Sequence, residues 1–144
     1  MERTARDVAP FLWLLLVAFV GRVAGQILVA FFHVAWLPPM EAWMSGLMPY
    51  RYLLPAQLAI IALYAKISID FTRGRGWFVE APRAFTRGVL IFGYVYFAVM
   101  SLRFVARFIP GATWLGEWIP AVFHLVLASF LIVYARYLCA RPRV

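Results

Sequence analysis

Apolar side chains occupy consecutive positions over stretches far longer than a β-strand. Phe11 to Val20 is apolar throughout, and Leu125 to Val133 is apolar at every position except Ser129. The alternation of a half-buried strand is missing, which predicts helices buried on all sides. About 20 apolar residues cross a hydrocarbon core of ~30 Å at 1.5 Å per residue. Four segments reach that length. The first runs from Pro10 to Trp36, broken by Arg22, Gln26 and His33. The second, Tyr52 to Ile69, carries Gln57 and Lys66. The third, Gly88 to Phe108, has Arg103 and Arg107 toward its end, and the fourth, Trp118 to Leu138, has only Arg136. In lipid each backbone donor and acceptor must be satisfied within its own segment, which again requires helices. The expected fold is all-α, an integral membrane four-helix bundle with antiparallel up-down topology, forming a single transmembrane domain over residues 1–144.

The connections carry their own signals. Pro38 and Pro39 stop the first helix, because proline lacks an N–H donor and restricts the residue before it. A Trp- and Met-rich piece over 40–48 is expected to lie flat at the interface, where indole rings are favoured. Thr113 to Pro120 repeats the theme of Trp, Leu, an acid and Trp. Two tandem helical hairpins would produce this pattern, as would two unrelated interfacial loops. Between spans two and three, Gly74 and Gly76 end the second helix, and Pro82 suits the first turn of the third.

Composition narrows the class. Of the 144 residues 65% are hydrophobic and 14% charged, with a mean hydropathy of +0.84. A soluble domain is roughly half apolar and about a quarter charged, so one water-soluble core is ruled out. Disorder is excluded by the same figures. The single Cys139 excludes a disulfide scaffold and any chemistry built on cysteine pairs.

Charge then orients the bundle. Ten of the 14 basic residues fall on one side, at the amino-terminal end, in the loop around Arg73, Arg75, Arg83 and Arg87, and at the carboxyl-terminal end. Positive charge collects in cytoplasmic loops, so both termini are expected in the cytoplasm. The net charge of +8 is a topology signal and a means of contact with anionic lipid, with no nucleic-acid partner implied. Thirteen of the basic residues are Arg, which suggests a GC-rich bacterial gene and a multi-pass protein of the bacterial inner (cytoplasmic) membrane. The amino-terminal segment also resembles a signal peptide. Cleavage near Gly25 would leave too few apolar residues before Pro38 to span, so an uncleaved helix is expected.

Polar residues inside spans are costly and face the bundle interior, so they point to function. At about 100° per residue, Arg22, Gln26 and His33 lie within about 40° of one another on the first helix, with Leu14, Val17, Val20 and Val23 on other faces. Helix direction alternates, which puts His33, Gln57, Arg103 and His124 at similar depth near the outer side. The expected site is a cup there, lined by Arg22, Gln26, His33, Gln57, Arg103 and His124. Its rim would be Trp36, Glu41, Trp43, Glu117 and Trp118. Arg22 and Arg103 would meet an anionic or carbonyl-bearing group, and the amides and imidazoles would orient it. An equal account of Arg22 is that it pairs with carbonyls or Gln57 and locks helices together.

No motif fixes a reaction. No Asp or Glu is expected deep within a span, which argues against a carboxylate-driven antiporter. No Ser/His/Asp set is spaced for hydrolysis. The sequence thus points to a non-enzymatic inner-membrane protein that binds a small amphipathic ligand or a partner subunit, with no cofactor and no catalytic residue named. One alternative is a redox subunit in which His33 and His124 ligate haem or a divalent metal. Another is an accessory subunit of a larger membrane complex or a homo-oligomer.

Overall fold

A computed structural model describes residues 4–44, 48–110 and 118–141. Among them are five helices and no strand: α1 (Ala5–Phe32), α2 (Met40–Trp43), α3 (Tyr50–Arg73), α4 (Arg83–Ala106) and α5 (Trp118–Ala140). All but α2 are long and apolar enough to cross a membrane. Large apolar side chains such as Leu14, Phe32, Ile91 and Leu102 stand on the outer surface, each more than 60% exposed. In water such a surface would aggregate; in a bilayer it faces lipid. The chain is a multi-pass membrane protein whose spans form a four-helix bundle.

Local chemistry sets the helix ends. The Asp7 carboxylate accepts from the Thr4 backbone N–H at 2.7 Å and from its hydroxyl at 2.9 Å, which starts α1. α1 stops at Phe32 and does not run on to Trp36, because His33 turns left-handed (φ 50°, ψ 45°) ahead of Pro38 and Pro39. Pro49 and Pro82 immediately precede α3 and α4. α3 outlasts its hydropathy. Gly74 takes φ 69°, its N–H reaches the Phe71 carbonyl at 3.1 Å, and the Arg75 N–H reaches Asp70 at 3.2 Å. That paired closure ends the helix at Arg73, so Asp70 belongs to α3.

Packing follows a seam near 3.5 residues. Val8, Leu12, Leu16, Phe19, Val23 and Gln26 bury one side of α1. Val23 is therefore inside, because the seam is wider than the polar stripe. α1 packs on both α3 and α5, while α4 packs on α5. The Tyr64 ring stacks on Phe130 at 3.9 Å and its hydroxyl donates to the Leu127 carbonyl at 3.1 Å. Further along, Phe71 meets Tyr134 at 5.6 Å. α3 and α4, although consecutive spans, do not pack along each other. α4 buries only Thr86 and Gly93. At Gly93 a Cβ would lie 3.1 Å from Ile132 Cγ1, and this missing carbon lets α4 approach α5. The core is thus α1, α3 and α5, with α4 resting on α5.

Candidate functional site

Three of the expected residues converge. Arg22 is 7% exposed, Gln26 0% and Gln57 3%. Arg22 and Gln26, four apart, share the inward face of α1, and Gln57 meets them from α3. Gln26 Oε1 accepts from Gln57 Nε2 at 3.1 Å and from Arg22 Nη1 at 3.4 Å. Arg22 Nη2 donates to the Trp43 carbonyl at 2.9 Å. The guanidinium carbon also lies 5.8 Å from the centre of the Phe123 ring on α5.

Trp43 holds a different place from the expected rim. It is buried, its indole N–H donates to the Pro38 carbonyl at 2.9 Å, and its ring lies over Gly25. A Cβ on Gly25 would sit 2.8 Å from Trp43 Cη2, so only glycine leaves room for the indole. The short α2 therefore packs in between α1 and α5, instead of lining an open mouth.

The cluster is not internally satisfied. Arg22 Nε, Gln26 Nε2, Gln57 Oε1 and the Tyr50 hydroxyl are all buried without a hydrogen-bond partner. Among the described residues the one ion pair is Lys66 with Asp70, so no carboxylate compensates Arg22. Its neighbours are two neutral oxygens and a ring face.

His124 on α5 is hydrogen-bonded through Nδ1 to the Tyr96 hydroxyl of α4. Arg22 and Arg103 are near enough to act on it electrostatically, so it belongs beside the cluster. His33 does not. The left-handed turn takes it off the helical stripe, and it stands exposed beside an open groove that includes Glu41 and Pro39. No hydrogen bond joins the two imidazoles. Among the described residues no three His, Cys, Asp or Glu side chains are grouped to hold a metal ion. Trp36 is 81% exposed and Trp118 50%, both on the outer surface, and Glu41 is exposed. Glu117 lies outside the described residues.

The places of three residues left little trace in the sequence. Trp43 acts through a backbone oxygen, which no side-chain pattern reveals. Tyr96 had a faint signal in its spacing of seven from Arg103. Asp70, expected beyond a span end, is 2% exposed inside α3, and its one advance sign was Lys66 four residues earlier. The chain, compared with known proteins, matches no family model, no curated protein and no solved structure.

Proposed function

We propose that this membrane protein binds a small amphipathic molecule, whose polar head enters the cluster of Arg22, Gln26 and Gln57 while its tail follows the apolar helices toward lipid. One observation carries this reading: a buried guanidinium with no carboxylate against it and its own Nε unpartnered, beside three further buried polar atoms that lack partners. Burying a charge without a counter-charge, or a donor without an acceptor, is expensive. A ligand head bearing oxygens relieves both costs at once. His124, bonded to Tyr96 through Nδ1, is within electrostatic reach of Arg22 and adds a further polar group on this side. In this reading the Arg-rich end faces the cytoplasm of a bacterial inner membrane and the cluster faces the outer leaflet.

The test is to extract the protein in native-lipid discs and identify co-purified small molecules by mass spectrometry. The wild type is expected to carry an amphipathic species that folded Arg22→Leu lacks. Identical contents from the two samples would refute the reading.

A second reading rests on the direct bond between Gln57 and Gln26, which ties α3 to α1 as structural glue in an accessory bundle. Under it, Arg22→Leu loses its fold in detergent and no ligand is found.

A further inference from the structure

The orientation of the Arg22 guanidinium defines the head group more narrowly, given that the cluster is a ligand site. The Nε–H and the Nη2 amino group lie side by side on one edge of the guanidinium plane and form a two-pronged donor. In this structure the prong is half used. Nη2 donates to the Trp43 carbonyl at 2.9 Å, while Nε is buried and unpartnered. The Trp43 carbonyl takes up Nη2 alone and leaves Nε without an acceptor. A carboxylate offers two oxygens at the matching spacing and one negative charge, which equals the single charge of Arg22.

We propose that Arg22 takes the carboxylate of an aliphatic acid across its Nε–Nη2 edge, in exchange for the Trp43 carbonyl, so that α2 is a lid held shut by the contact the ligand replaces. The surroundings fit this exchange. The lid is one turn long, and its indole fills space that exists only because residue 25 is glycine. The Arg22 guanidinium carbon lies over the Phe123 ring at 5.8 Å, a contact that takes up no N–H donor. The outer surfaces of α1 and α3 around the cluster are apolar, with Leu28 and Leu58 exposed to receive a tail.

The experiment measures saturable binding of dodecanoate and of dodecanol to the full chain in lipid nanodiscs, with empty discs subtracted. Dodecanoate is expected to bind at least about tenfold tighter than dodecanol, the worth of one charge-assisted contact. Arg22→Lys keeps the charge but loses the two-pronged edge, and should weaken dodecanoate binding about tenfold. Gly25→Ala puts a methyl against the indole, loosens the lid and should tighten dodecanoate binding severalfold. Dodecanol binding as well as dodecanoate overturns the carboxylate assignment and leaves the ligand site standing. No dodecanoate binding overturns it too, and co-purification then decides separately whether the cluster holds another ligand. Unchanged affinity in Gly25→Ala overturns the lid. The comparison of acid with alcohol needs no variant, so misfolding of either one leaves the assignment testable.

Discussion

Gln57 reaches across from α3 to donate its amide to Gln26 Oε1 on α1 at 3.1 Å, with both side chains almost wholly buried. The same oxygen takes Arg22 Nη1 at 3.4 Å, so one acceptor joins two helices and holds the cation in place. Cross-helix hydrogen bonds in membranes are worth about 0.6 kcal/mol, rarely above about 1.7. A double-mutant cycle on Gln26→Leu and Gln57→Leu, followed by unfolding in detergent, should give a coupling in that range. A coupling indistinguishable from zero would mean that the bond does not form.

Gly93 and Gly88 lie on α4 and differ only in what stands opposite. At Gly93 a Cβ would meet Ile132 Cγ1 at 3.1 Å and the Ile132 backbone nitrogen at 3.4 Å; at Gly88 it would meet nothing within 4 Å. Forcing a methyl into a packed contact costs about 1–3 kcal/mol. Removing glycine from an open helix position gains up to about 1 kcal/mol. Gly93→Ala should therefore lower the thermal midpoint and Gly88→Ala should hold or raise it. Equal shifts would contradict the packing of α4 on α5.

The contrast between residues that were legible in the sequence and those that were not has a physical basis. Arg22 and Gln26 fall together because four residues of regular helix fix their relative direction, and hydropathy alone finds the four spans. His33 fails the same argument because periodicity holds only while the helix lasts, and here one left-handed residue ends it. Hydropathy closes the second span at Ile69, yet backbone bonding at Gly74 carries α3 past Asp70 and into the core. Trp43 supplies a carbonyl and a ring through tertiary insertion, and neither leaves a periodic trace. Span order likewise did not reveal that α1 would pack on both α3 and α5 while α4 packs on α5 and not along α3.

The loop between α3 and α4 gives a third test. Gly76 has φ 127°, and a Cβ there would lie 2.5–2.8 Å from the Asp70 carboxylate atoms. Alanine would suffer both the left-handed backbone and the collision, each a cost of about 1–3 kcal/mol. Gly76→Ala should loosen the loop, and trypsin should cut faster after Arg73 and Arg75, as read by mass spectrometry of the fragments. Wild-type cutting rates would show that the loop does not close over Asp70.

Lys66 and Asp70 form an ion pair one turn apart, but their burial is unequal: the Lys66 side chain is 57% exposed and that of Asp70 3%. Losing the exposed partner and losing the buried one should therefore have different consequences. Lys66→Met removes a largely solvated or headgroup-facing ammonium and is expected to cost no more than about 1 kcal/mol, since exposed pairs contribute little. Asp70→Leu removes a carboxylate whose second oxygen already lacks a partner, and it places an apolar chain beneath Gly76 against the Phe71 and Tyr134 layer. Replacing a buried polar group by a well-packed apolar one is often neutral or stabilising, so the unfolding midpoint of Asp70→Leu should equal or exceed that of Asp70→Asn, which keeps the buried polar atoms without the charge. If Asp70→Leu is instead the less stable of the two by more than about 1 kcal/mol, the carboxylate's polar contacts hold this end of α3 together, and the apolar layer around it contributes less than its burial suggests.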